Sequence, residues 1–257
     1  MKIISVFNQK GGCSKTTTAC NLGAALSKLN NKVLLVDCDP QANLTSSVGI
    51  DDELLSKTIY TLLTAKESSY EDIFKVILST EYENLSLLPS DITLSDAEIN
   101  LSNTISRETV LKRILDKIKH NYDFIIIDCP PSLGLLSLNA LCAADNIIIP
   151  VSPDFFSLKG LKHLVSTIDE VKSTINPKLE ILGVLITKFD NRINMSKSIL
   201  NILVDNFGDK VFNTFIRVDS QVVYSQDNVI PIVFYNAKAK ATDDYNALAI
   251  EVLENAK

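Results

Sequence analysis

The 257-residue sequence has no C-x-x-C pair, only two histidines, and no apolar run long enough to cross a bilayer. Its five cysteines, at 13, 20, 38, 129 and 142, are odd in number, so reduced thiols are the reading that fits, not a disulfide framework. Cys13, Cys38 and Cys129 sit in or beside the candidate nucleotide loops, which leaves a redox-sensitive site as the minor alternative. His120 and His163 stand alone, without ligand partners in pattern, and read as surface or packing residues. There is no linker rich in Pro, Gly or Ser, no low-complexity tract and no 20–50-residue repeat, so one domain over 1–257 is expected. The chain opens directly on a strand pattern with no room for a signal peptide, which points to the cytoplasm. An excess of positive charge is missing too. The balance is 25 − 31 = −6, so any nucleic-acid contact has to come from a local basic patch. With 46% apolar and 22% charged residues, what remains is an ordinary globular composition, long enough for a large core.

The stretch that organises the rest is Gln9-Lys10-Gly11-Gly12-Cys13-Ser14-Lys15-Thr16-Thr17. It follows the apolar run Ile3–Phe7 and precedes a helix pattern from Thr16 to about Leu29. A strand, a glycine turn and Lys-Thr opening a helix make the setting of a phosphate-binding loop. Backbone N–H groups and a helix N-terminus there face an anion. Lys15 suits the β- and γ-phosphates, and the Thr16 hydroxyl suits Mg²⁺. Measured against G-x-x-x-x-G-K-[ST], both outer glycines are absent: Gln9 and Ser14 take their places. A lysine-led opening, here Lys10, marks one subclass of such loops. Serine directly before the lysine does not, and a Cβ held there at positive φ costs about 1–3 kcal/mol. That corresponds to roughly 5- to 150-fold in affinity.

Acidic residues recur at strand ends. Lys32–Asp37 reads as a buried strand running into Cys38-Asp39-Pro40-Gln41, where Asp39 suits metal and water positioning. Asp37 fits a loop-holding role as well as a direct one. Tyr122–Asp128 is the most strand-like run, and Asp128 closes it where a carboxylate holds Mg²⁺ through water. Further strands are expected at 85–89, 146–151, 180–187 and 211–216. Helices are expected within 51–79 (at 58–63 and 71–78) and at 107–120, 158–173, 195–206 and 240–256; residues 92–103 read as a helix or a lid. Strands apolar on both faces, alternating with helices, predict an α/β fold: a doubly wound, mostly parallel sheet with helices on both faces.

Three motifs carry a family resemblance: Lys10-Gly11-Gly12-x-x-Lys15-Thr16-Thr17, Val36–Asn43, and Ile127-Asp128-Cys129-Pro130-Pro131-Ser132. Together they resemble the nucleotide motifs of the ParA/Soj partition ATPases, the deviant Walker A subclass of P-loop NTPases that also includes MinD. The likeness runs on through Thr187–Arg192 and Pro231–Asn236. It implies ATP and Mg²⁺ as ligands, with Lys10, Lys15 and Asp39 catalytic. Lys10, Gly11, Gly12, Cys13, Ser14, Lys15, Thr16 and Thr17 would bind the nucleotide, and Thr187, Asp190 and the loop around Arg217 would wall the adenine. The metal would rest on Thr16, with Asp128 and Asp39 acting through water. The resemblance also implies an ATP-dependent homodimer, in which Lys10 reaches the partner's nucleotide. It implies non-specific DNA binding through Arg192, Arg217, Lys197 and Lys238, with Lys188 and Lys240 as further candidates. A ParB-type centromere-binding partner and a nucleoid-associated place in the cytoplasm complete it. Asp219, Ser220 and Gln221 stand where many relatives carry a second arginine. The C-terminal stretch 245–253 has no lysine-rich face for a membrane. A non-hydrolysing binding module and a MinD-like positioning ATPase are the rival readings.

Overall fold

The computed structural model describes residues 1–255, and residues 155–159 by their backbone alone. Seven strands form one sheet: β1 (Lys2–Val6), β2 (Val33–Asp37), β3 (Leu78–Ser79), β4 (Leu85–Leu88), β5 (Phe124–Asp128), β6 (Asn146–Val151) and β7 (Glu180–Ile186). Their order is β3-β4-β2-β5-β1-β6-β7, parallel throughout except for the β3–β4 pair. Period-two alternation sorts the strand residues into two apolar layers. Ile3, Leu34, Val36, Ile125, Ile127, Ile147 and Ile149 face one side. Ile4, Val33, Leu35, Phe124, Ile126 and Ile148 face the other. Helices Val110–Ile118, Leu135–Ala143, Phe155–Thr174 and Asn194–Phe207 cover the first layer. Helix α1 (Lys15–Lys28) and the helix Lys240–Asn255 cover the second. The doubly wound α/β expectation therefore holds.

Close packing of α1 on the sheet depends on Gly23, where a Cβ would come within 2.5 Å of Leu35 Cδ2. β1 lies between β5 and β6, and the chain turns from one side of it to the other, so a crevice opens at the carboxyl ends of the strands. The loops after β1, β2, β5, β6 and β7 all reach that edge.

Three local expectations need correction. Residues 211–216 form no strand: Val211 and Arg217 make only isolated bridges, to Val184 and Phe189. The apolar Val211, Phe212 and Ile216 are buried as a strand's would be, but the N–H groups of Asn213 and Thr214 donate to Glu251, at 2.7 and 2.9 Å. Those donors are lost to the β7 edge. The helix expected over 71–78 stops at Phe74, because Leu78 and Ser79 pair antiparallel with β4. The expected helix 107–120 is α-helical only over Val110–Ile118, between single 3-10 turns, although its five apolar residues are all buried. Four helices have no counterpart in the sequence reading: the short Asn43–Ser47 and Ile232–Tyr235, and the longer Leu135–Ala143 and Ser220–Asp227. Leu135–Ala143 is apolar nearly all round and carries no 3.6 period.

Candidate functional site

The loop after β1 is fastened through its carbonyls. Lys15 Nζ donates to Lys10 O at 3.2 Å, Lys188 Nζ to Gly12 O at 2.9 Å, and Thr187 Oγ1 to Cys13 O at 3.2 Å. Asn8 braces the entry, accepting from Lys10 N at 3.0 Å and donating to Pro150 O at 2.8 Å. No described residue accepts from the N–H groups of Gly11, Gly12, Cys13 or Ser14. With its carbonyls turned toward the protein, the loop keeps its amide edge for an anion, next to the N-terminus of α1. Gly12 stands at φ 74° and Ser14 at φ 68°, ψ 34°. The expected Cβ in the left-handed region is thus present. The Ser14 side chain makes no capping hydrogen bond that would offset it.

Three carboxylates close the strand ends beside the loop. Asp37 and Asp128 are register partners on β2 and β5, and Asp39 follows two residues on. Asp37 accepts from Asp39 N at 3.1 Å, Thr45 N at 2.9 Å and Thr45 Oγ1 at 2.8 Å. It therefore holds the turn that carries Asp39. Burial nevertheless pushes its carboxyl up to about 6, against the pull of those donors. Asp39 is nearly buried, and its Oδ1 accepts from Gln41 N at 3.0 Å. Asp128 is fully buried, and neither of its oxygens meets a hydrogen-bond partner. Burial lifts it well above the ordinary carboxylate range. The Asp37 charge adds to that lift, while the Thr16 hydroxyl and the Lys15 ammonium oppose it. An ionised carboxylate so placed is stable only with a cation close by. Among the described residues no group of three or more acidic, cysteine or histidine side chains makes a self-sufficient metal cage. The set fits instead an ion that keeps waters and shares its other ligands with a phosphate, which is the habit of Mg²⁺.

Lys10 and Lys15 separate. Lys15 is buried behind the loop, whereas Lys10 makes an ion pair with Asp154, just past β6, whose carboxylate also accepts from Ser152 Oγ at 2.7 Å. The thiols of Cys13, Cys20, Cys38 and Cys129 are all buried, and burial pushes each of them up. Such thiols are inert, which removes the ground for a redox-sensitive site.

A pocket of about 370 Å³ opens beside the loop between Gly12, Ser14 and Thr17 on one side and Ile216–Asp219, Val222, Val223 and Gln226 on the other. The loop around Arg217 lines this pocket. Thr187 lies behind the phosphate loop, outside the pocket lining, and Asp190 is likewise outside it. Its neighbour Lys188 lines the pocket instead. Gln226 and the helix that carries it match no motif. The one sequence signal was Asp219, an N-cap residue whose side chain accepts from Gln221 N at 2.9 Å.

The candidate DNA contacts divide. Arg217 is bound to Asp244 through its N–H, Nε and Nη2, the last at 2.6 Å, and donates to Lys240 O at 3.1 Å. Arg192 forks onto Asp190 at 3.0 and 2.7 Å, yet its side chain is 88% exposed. Lys197, Lys238 and Lys240 are exposed. No helix among the described residues is long and apolar enough to cross a membrane.

A family model described as an AAA domain matches residues 1–181. The chain is 43% identical over 254 residues to the sporulation initiation inhibitor protein Soj of Bacillus subtilis, covering 99% of each. It is 40% identical to the chromosome-partitioning ATPase Soj of Treponema pallidum, covering 98% of this chain and 97% of that one. Among solved structures it resembles the cobyrinic acid a,c-diamide synthase of Mycobacterium smegmatis with bound ADP and magnesium. The TM-score there is 0.80 at 34% identity, over 98% of this chain and 91% of that one. With its lysine-led phosphate loop, its two strand-end aspartates and relatives matched end to end, the chain belongs to the ParA/Soj family of partition ATPases, within the P-loop NTPases.

Proposed function

We propose that this chain, as one domain over 1–257, is a Mg²⁺- and ATP-dependent partition ATPase that hydrolyses ATP to ADP and phosphate, slowly until a partner stimulates it. ATP joins two copies into a dimer that binds DNA without sequence preference, and a ParB-type centromere-binding protein triggers hydrolysis and release. The setting is the cytoplasm, on the nucleoid and away from any membrane. The observation that carries the reading is Asp128, a buried carboxylate with no partner, beside a loop whose amide edge is open to phosphate.

Thr16 would hold Mg²⁺ directly, with Asp128 and Asp39 acting through water. The ion neutralises charge on the phosphoryl oxygens when bound. Residues 10–17 cradle the phosphates, and Lys15 supplies fixed positive charge. Asp39, kept in place by the Asp37–Thr45 bonds and by Gln41 N, orients the attacking water and accepts its proton. Lys10 leaves Asp154 to reach the partner copy's nucleotide. Thr187 steadies the loop from behind, and Asp190 acts through Arg192. Arg192, Lys197 and Lys238 meet DNA phosphates, where salt weakens them. Arg217 serves the pocket wall more than the DNA, because Asp244 holds its guanidinium.

The test is Asp39→Ala. It should bind ATP like wild type, cease turnover and accumulate as the dimer. Loss of ATP binding in that variant would remove Asp39 from the catalytic role, and failure of the wild-type protein to bind Mg²⁺–ATP would overturn the whole reading.

A further inference from the structure

The base pocket is lined by several charged side chains, but each is already engaged. Arg217 is held by Asp244, with a shortest contact of 2.6 Å. Asp219 accepts from Gln221 N at 2.9 Å with one oxygen and from Ala241 N at 3.2 Å with the other. Lys188 Nζ donates to Gly12 O at 2.9 Å. Tyr245 is fully buried. The remaining wall is aliphatic: Ile216, Val218, Val222 and Val223. Gln226 is different. Its Nε2 donates to Thr17 Oγ1 at 3.1 Å, and its Oε1 accepts from no described residue. The helix that presents it ends at Asp227, and two residues further on Val229 stands at φ 51°, a conformation that a β-branched residue rarely adopts. Gln226 also borders the neighbouring cleft that contains Thr16 and Asn43.

We infer that Gln226 is a specificity-determining residue of the nucleotide site. Its Oε1 accepts a hydrogen bond from the exocyclic amino group of the base and so favours adenine over a purine that lacks one. This inference rests on the nucleotide-binding reading above. An apolar pocket discriminates poorly between rings of one shape, whereas a single committed acceptor adds the discrimination that one hydrogen bond supplies. An oxygen facing Oε1 at that ring position would meet an acceptor with an acceptor.

The experiment compares the Mg²⁺ complexes of ATP, of inosine triphosphate, which has a carbonyl in place of the amino group, and of inorganic tripolyphosphate. Each is titrated into wild-type protein and into Gln226→Leu. Gln226 is exposed, so the variant should fold, and its melting curve verifies that. Wild type should prefer ATP to inosine triphosphate by about three- to tenfold. In Gln226→Leu that preference should fall to near unity while tripolyphosphate affinity stays unchanged. The inference is overturned if the variant keeps the preference, or if wild type shows none. It is overturned too if tripolyphosphate weakens as much as ATP, which would make Gln226 a support for Thr17 on the phosphate side. Wild-type protein that binds neither nucleotide would overturn the functional reading itself, and this inference with it.

Discussion

Replacing Ser14 by glycine should stabilise the protein, and the size of the gain follows from the loop. Ser14 lies at φ 68°, ψ 34°, and its hydroxyl makes no capping bond, so nothing local offsets the crowding of its Cβ. An L-residue in the left-handed region costs about 1–2 kcal/mol relative to the right-handed one. Glycine removes that cost but returns about 0.5–1 kcal/mol through a freer unfolded chain. The net gain is about 0.5–1 kcal/mol, and at about 2–4 °C per kcal/mol for a chain of this size Tm should rise by roughly 1–4 °C. Ser14→Ala is the control: it keeps the Cβ and loses no hydrogen bond, so it should melt with wild type. Calorimetry gives both numbers, and titration with Mg²⁺–ATP gives a third. The same strain bounds any gain in affinity at about 5- to 30-fold, the equivalent of 1–2 kcal/mol. Alanine stabilising as much as glycine, or glycine lowering Tm with no gain in affinity, would refute the argument from left-handed strain.

Stability should fall as pH rises from about 4 to about 6. Asp37 titrates near 6 in the folded chain against an ordinary 3.8, so the folded state holds that proton more tightly. The contribution is complete below the unfolded value and is lost by the folded one, at most about 3 kcal/mol, and buried Asp128 acts in the same direction. Urea midpoints measured across the window check this, and a midpoint that climbs through it contradicts the burial argument. Asp244→Asn should lower stability by about 1–3 kcal/mol, since it weakens the partner of a half-buried arginine. It should weaken ATP binding as well, because Arg217 lines the pocket beside the phosphate loop. Calorimetry of folding and of ATP binding tests both, and an unchanged ATP affinity would sever the link between Asp244 and the pocket wall.

Much of the fold was legible because a parallel sheet buried on both faces leaves strong marks. Ile125-Ile126-Ile127 and Ile147-Ile148-Ile149 can serve little else than central strands, and each ends where a loop residue begins. Edges were harder to read. Leu78 continues the apolar pattern of a helix and pairs with Leu87 instead, a choice made by β4 and not by its own neighbours. Val211–Ile216 has the apolar content of a strand, yet a single distant carboxylate, Glu251, takes its central N–H groups. Propensity is local, and competition for a donor across 37 residues is not.

The site divides along the same line. The convergence of Lys15, Thr16, Asp39 and Asp128 was readable because each lies at the end of one strand or in the loop that follows it. Thr187 was picked for the site but not for its bond, since the carbonyl it holds lies 174 residues away. The pocket beside the phosphate loop is the extreme case: its wall is built by 216–226, and Asp219 and Arg217 tie that wall to residues 241 and 244 of the closing helix. Phosphate recognition needs backbone amides, so it is written in glycines and recurs as a motif. Base recognition needs side chains drawn from separate elements, so it is written in tertiary contacts. Gln226 carries no motif at all and reaches the pocket wall only through the tertiary arrangement, whereas the phosphate loop is recognisable from nine residues.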